Sequence, residues 1–168
     1  KPYSKYFKMG DIGEKIFFDY CQKYNLNIIN MGLFSYILLL YGRHGKNKLD
    51  YSGNYDEIKK FKKLKVEKFM SMFSEEQLKF LVENHQSLEY DINDKKTGLP
   101  DFFVWDNDKN LAFVEIKTGT SVLSKQQREI IKKLMKHFSV YVCHIDLEVF
   151  IKDIKIKNID FGFVNINN

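Results

Sequence analysis

Apolar residues recur along this chain with two different periods, and the change of period outlines its elements. Ile16, Phe17, Tyr20 and Tyr24 fall on one helical stripe, which predicts a helix over 10–24. The run from Met31 to Tyr41 is apolar almost throughout. It is too short to span a bilayer and reads as a buried helix. Residues 56–72 read as a helix whose polar positions are mostly lysine. Ser74-Glu75-Glu76-Gln77 is a capping box opening another helix, Leu78 through Asn84. Beyond residue 98 the period shortens to two. Phe102-Phe103-Val104-Trp105 and Leu111 through Lys117 flank the polar cluster Asp106 to Asn110, which predicts a β-hairpin. Val140 through Ile145 reads as a further strand, and Glu148–Ile151 and Phe161–Ile166 as strands added after it. Lysine alternation at 152–157 marks an edge segment that resists aggregation. Neither internal repeats nor a low-complexity linker interrupt this order. The expectation is one domain over 1–168: an N-terminal helix, a helical insertion at about 31–90, a core at 98–145 and C-terminal strands at 148–166.

Alternation along the second hairpin strand places Leu111, Phe113, Glu115 and Lys117 on one face. Glu115 and Lys117 therefore interrupt the apolar side of a core strand, which is costly unless they are paired or ligated. Pro100-Asp101 stands just before the first strand, in a chain with two prolines. Two carboxylates and an ammonium brought together in this way suit metal-assisted cleavage of a phosphodiester. Asp101 and Glu115 would hold Mg²⁺ or Mn²⁺ through oxygen, and Lys117 would orient water or neutralise developing charge. Glu57-Ile58-Lys59 has the same spelling but lies in a lysine-dense, helix-like segment with no Pro-Asp before it. The bland alternative for Asp101, Glu115 and Lys117 is a turn and an exposed strand end.

Three ordered motifs extend the pattern. Gly98-Leu99-Pro100-Asp101, Val114-Glu115-Ile116-Lys117 and Leu123-Ser124-Lys125-Gln126-Gln127 are followed by the strand Val140–Ile145. Over 98–145 the chain resembles the VRR-NUC domain, a branch of the PD-(D/E)xK nuclease superfamily, and is similar to the nuclease domain of the Fanconi-anaemia-associated nuclease. The resemblance implies an α/β fold with a restriction-endonuclease-like core, a mixed sheet flanked by helices. It implies metal ligation by Asp101, Glu115 and the backbone carbonyl of Ile116, with one or two Mg²⁺ or Mn²⁺ ions. Lys117 would be the catalytic lysine, and Gln127 would support the site from the next helix. Ser124 to Gln127 is also a capping-box pattern, so both readings of Gln127 stand. The superfamily adds an acidic residue from an N-terminal helix; Glu14 is the candidate, with a capping box from Asp11 as its alternative. The family glycine after the lysine is Thr118 here, with Gly119 one position later.

Charge adds a partner. The chain carries 27 lysines and arginines against 22 acidic residues, a net charge of +5, which fits a polyanion. Lys125, Arg128, Lys132 and Lys136 share one helical face and Ile131, Leu134 and Phe138 another, so the basic face begins beside Gln127. Lys59, Lys60, Lys62, Lys63, Lys65 and Lys68 form a second cluster, readable also as a solvated face. Cys21 and Cys143 sit in apolar contexts and suit a reduced, intracellular protein, in cytoplasm or nucleus rather than secreted. His144 is taken as structural. The function expected is a Mg²⁺-dependent, structure-selective DNA endonuclease acting on junctions, flaps or replication intermediates. Small stand-alone relatives act as homodimers, and an insertion that blocked dimerisation would leave a monomer. The alternatives are a non-catalytic nucleic-acid-binding protein on the same fold and a sequence-specific restriction-type enzyme.

Overall fold

The computed structural model describes residues 9–44, 66–84, 98–150 and 153–163. Helix α1 (Met9–Lys23) turns through Asn25, at φ 55, into strand β1 (Asn27–Asn30). Helix α2 (Met31–His44) follows without a break. Asn30 makes that abrupt start possible, because its Oδ1 accepts from the Leu33 N–H at 2.8 Å and caps the helix. Helices α3 (Val66–Met70) and α4 (Glu75–Glu83) come next. Ser74 caps α4, and its bonds with Gln77 close the capping box in both directions. Strands β2 (Phe102–Trp105) and β3 (Leu111–Thr118) form the expected hairpin. Its turn is tied by Asp106, which accepts from the backbone N–H of Asn110 at 2.9 Å and from its side-chain amide at 2.7 Å. Helix α5 (Lys125–Leu134) crosses over to β4 (Ser139–Phe150), and β5 (Asp153–Phe163) returns beside it.

The five strands of the described residues lie in the order β1-β2-β3-β4-β5. Among them β3 and β4 are parallel and the other neighbours antiparallel. The fold is thus α/β with a mixed sheet, of the restriction-endonuclease-like kind. Helix α1 covers one face, where Phe17 and Cys21 pack on Phe102, Val104, Val114, Ile116 and Cys143. Helices α2 to α5 supply the other, with Phe34, Phe69, Leu81, Ile131 and Leu134 around Phe103 and Phe113. Alternation alone sorts β3 between them: Ala112, Val114 and Ile116 face α1, while Phe113 and Glu115 face α5.

Several expectations need correction. The described helices within 31–90, the stretch expected as an insertion, form one layer of the core. Only Val66–Met70 of the helix expected at 56–72 is described as helical; 56–65, including Glu57-Ile58-Lys59 and most of the second lysine cluster, lies outside the described residues. The strands expected at 140–145 and 148–151 are one strand, β4, which runs through Asp146 with a bulge in its pairing to β5. Strand β5 begins at Asp153, so Lys155 and Lys157 lie on it, at the edge of the sheet. The short strand β1 has no counterpart in the sequence reading.

Candidate active site

Strand β2 begins at Phe102, opposite Val114, so β3 runs on past it from Glu115 to Thr118 with β4 as its partner. This leaves a gap in the sheet on the β2 side, and Asp101 stands at its border. The Met31 N–H donates to the Asp101 carbonyl at 3.1 Å, which fixes the residue against the start of α2. Its side chain takes the place of a missing strand: Oδ2 accepts from the Ile116 N–H at 2.6 Å. A strand residue's N–H and C=O point to the same side, so the Ile116 carbonyl also faces the gap.

Glu115 reaches the site from the α5 face and is 2 % exposed. Its Oε1 accepts from Lys117 Nζ at 2.7 Å and from the Gln127 side-chain amide. Its Oε2 is buried and has no hydrogen-bond partner among the described residues. Lys117 Nζ also donates to Gln127 Oε1 at 3.1 Å. That same oxygen accepts from the Ser124 N–H at 2.9 Å, and Ser124 Oγ accepts from the Gln127 N–H at 3.1 Å. Gln127 therefore closes a capping box and bridges Lys117 and Glu115 at once, so its role as a cap leaves room for the second reading.

Two glycines let these elements meet. Gly98, at φ +63, lies against the first turn of α5, where an added Cβ would stand 2.8 Å from Gln126 Cγ and 3.0 Å from the Gln127 N. The backbone leading to Asp101 is thereby pressed onto the helix that carries Gln127. Gly13 does the same for α1 on β3, since a Cβ there would stand 2.5 Å from Thr118 Cγ2. The next residue is Glu14. Neither close approach is visible in the sequence, because what a glycine packs against is a property of the fold.

The carboxylates feel one another. Burial raises the Asp101 carboxyl to about 7, with the Glu115 charge adding to the rise and the Ile116 N–H and Lys117 opposing it. Burial also raises Glu115, against the pull of Lys117 and Gln127 and with a push from Glu14. Glu14 remains solvent-exposed. Its carboxyl is nonetheless raised to about 7 by partial desolvation, then by Asp101 and Asp11. Helix α1 starts at Met9, so Asp11 lies inside its first turn and does not cap it. The capping alternative for Glu14 falls away, and Glu14 lies within electrostatic reach of both other carboxylates.

The donor set fits a hard divalent cation. Glu115 Oε2 is a buried carboxylate oxygen that accepts no hydrogen bond among the described residues, Asp101 has one oxygen engaged, and the Ile116 carbonyl faces the same gap. Among the described residues, no three histidine, cysteine, aspartate or glutamate side chains close round a common point. The set is thus two carboxylates and a carbonyl, with Glu14 nearby.

Lys125, Arg128 and Lys132 are exposed along α5, beginning beside Gln127. Lys136 is exposed too, but α5 ends at Leu134, so Lys136 and Phe138 belong to the turn before β4 and not to the helix. His144 is exposed on β4, in register with Lys117. Cys21 and Cys143 are buried and unpaired, and burial pushes their thiols up to about 11 and about 12. No helix among the described residues is long and apolar enough to cross a membrane.

An α/β sheet with carboxylates and a lysine at a gap beside its central parallel pair is the frame of a PD-(D/E)xK-type nuclease domain. The VRR-NUC domain family matches residues 40–146, more than half of the chain, and the chain belongs to that family. The matched range takes in most of the stretch expected to be an insertion and leaves out Glu14. Among curated proteins none matches.

Proposed function

We propose that this chain is a Mg²⁺- or Mn²⁺-dependent endonuclease that cuts branched DNA: flaps, junctions or replication intermediates. The observation that carries the reading is Glu115 Oε2, a buried carboxylate oxygen with no hydrogen-bond partner among the described residues, beside Asp101 and tied through Oε1 to Lys117 and Gln127. Asp101, Glu115 and the Ile116 carbonyl hold the cation, and Glu14 completes its surroundings from α1. When bound, the cation makes its water more acidic and draws charge from the phosphoryl oxygens. Lys117 supplies fixed positive charge where negative charge builds on the phosphate. Gln127 holds Lys117 and Glu115 in register, so neither has to be ordered at the moment of reaction. Burial of this pair keeps water from weakening the interaction.

Lys125, Arg128 and Lys132 lead the phosphate backbone toward Gln127. Such contacts give affinity without reading sequence, which suits an enzyme that selects DNA shape. Arg128→Ala or Lys132→Ala should weaken DNA binding equally on all sequences and lower the salt slope by about one each. A sequence-dependent loss in a filter-binding titration across salt concentrations would contradict that role.

The central test offers labelled flap, four-way junction and linear duplex DNA to the protein with Mg²⁺, with Mn²⁺ and with EDTA. Cleavage of the branched substrates that needs the metal is expected. Cleavage that persists in EDTA overturns the metal assignment. Equal cleavage of linear duplex overturns shape selection, and tight binding without any cleavage points to the non-catalytic reading. A mass measured in solution, with and without DNA, separates a dimer that makes paired cuts from a monomer acting on flaps.

A further inference from the structure

We propose that Gly13 and Thr118 are a matched pair that sets how deeply Glu14 reaches toward Asp101 and Glu115. The inference rests on the reading of Glu14 as part of the metal site and adds the device that places it. Helix α1 lies on the sheet face that carries Ile116 and Thr118, where Phe17 and Cys21 anchor it in the core. One turn earlier, the helix meets β3 at Gly13. A Cβ on that residue would stand 2.5 Å from Thr118 Cγ2 and 3.1 Å from Ile116 Cγ2, so any side chain larger than hydrogen must lift α1, turn the Thr118 side chain or displace the strand.

The neighbour that crowds Gly13 most is the methyl group of Thr118. The Thr118 backbone is not free to retreat. Its N–H donates to Ser121 Oγ at 3.0 Å, its carbonyl accepts from that hydroxyl at 2.8 Å, and it sits in β3 opposite Ile145 of β4. The strand is the fixed partner, and α1 is the element that would give. Glu14 follows Gly13 directly on α1, so the height of the helix above the strand sets where its carboxylate stands. Small displacements of a charged group at a metal site have large consequences, because coordination and near-attack geometry tolerate only fractions of an ångström. The threonine methyl fills the space that the missing Cβ leaves.

Gly13 and Thr118 are thus positioning residues that act through Glu14. The test compares Gly13→Ala, Thr118→Ser, the double variant and Glu14→Gln with the parent chain. Thr118→Ser removes Cγ2 and keeps the hydroxyl. Readouts are Mn²⁺ affinity by calorimetry, DNA affinity in Ca²⁺, cleavage turnover and thermal midpoint. Gly13→Ala is expected to weaken Mn²⁺ binding about tenfold and slow turnover tenfold or more, with DNA affinity changed by less than about twofold. The double variant should return to within about threefold of Thr118→Ser, which itself should stay within about twofold of the parent. Gly13→Ala within twofold of the parent overturns the pairing, as does a double variant as impaired as Gly13→Ala. If Gly13→Ala does not fold, the double variant decides: folded with Mn²⁺ binding like Thr118→Ser supports the pairing, and unfolded or weakly binding overturns it. Glu14→Gln separates the two layers. If it leaves Mn²⁺ affinity and turnover unchanged, the role of Glu14 itself fails; if it lowers both while Gly13→Ala does not, only the positioning device fails.

Discussion

Asp101→Asn is expected to reduce metal-dependent DNA cleavage by about a thousandfold or more and yet to stabilise the metal-free chain at pH 8 by about 2 kcal/mol. The two effects share a cause. Asp101 is held among burial and a neighbouring carboxylate that together raise it from its ordinary 3.8 to about 7. Its native form therefore binds a proton more tightly than the unfolded chain does. Between pH 4 and 7 the native state carries more protons, so unfolding free energy falls as pH rises across that window and levels off above it. Glu14, raised to about 7 as well, adds to the same trend. The rise at Asp101 carried through linkage is worth about 4 kcal/mol. About half should be recovered in the asparagine variant, since a neutral amide oxygen accepts less strongly from the Ile116 N–H than a carboxylate does. The stability difference between Asp101→Asn and the parent should vanish near pH 4 and reach its full size above pH 7. Mg²⁺ should raise the thermal midpoint of the parent more at pH 8 than at pH 5.5, because cation binding needs the deprotonated carboxylates. Thermal melts over that pH range, with Mg²⁺ and with EDTA, check both signs. A parent chain whose midpoint rises from pH 5 to 8 in EDTA would mean that Asp101 is not held as described.

The fold favours such a site in its acidic form, and a bound cation would favour the ionised form. The sequence makes part of this legible and hides the rest. Glu115 and Lys117 could be placed on one face because a strand has period two, and the β2–β3 hairpin was bounded by residues with strong local preferences. Ser124 and Gln127 announced the start of α5 because a capping box is written within four residues. Each of these depends on neighbours in the chain. The start of α1 at Met9 does not, and so Asp11 was open to misreading as a cap. Strand β1 is four residues, Asn-Ile-Ile-Asn, with no alternation to betray it; its partner β2 and the α2 cap at Asn30 define it. Strand β4 continues through Asp146 because β5 pairs with it across a bulge, where local pattern suggests a break. The apolar residues of the stretch expected as an insertion can be counted in sequence but not placed. Around Phe103 and Phe113 they turn out to be one wall of the core. The roles of Gly13 and Gly98 were invisible for a similar reason, since closeness to Thr118 or Gln126 exists only in three dimensions.

Gln127 offers the second large effect, and it separates capping from support of the site. Gln127→Glu keeps the side-chain oxygen that accepts from the Ser124 N–H, and a capping box accepts glutamate as readily as glutamine. It removes the amide that donates to Glu115 Oε1 and sets a further carboxylate against a buried one. Cleavage should therefore fall about 10- to 100-fold, while α5 keeps its cap. Ser124→Ala does the opposite. It removes the hydroxyl that accepts from the Gln127 N–H, which costs about 1 kcal/mol, and leaves the contacts of Gln127 with Lys117 and Glu115 intact. Its turnover should stay within about twofold of the parent once the protein is folded. The pair makes a crossed experiment, with stability and turnover measured on both variants. If Gln127→Glu cleaves like the parent, the residue is a cap and nothing more. If Ser124→Ala loses turnover as heavily as Gln127→Glu, the cap itself sets the geometry of Lys117, and the bridge from Gln127 to Glu115 carries no separate share.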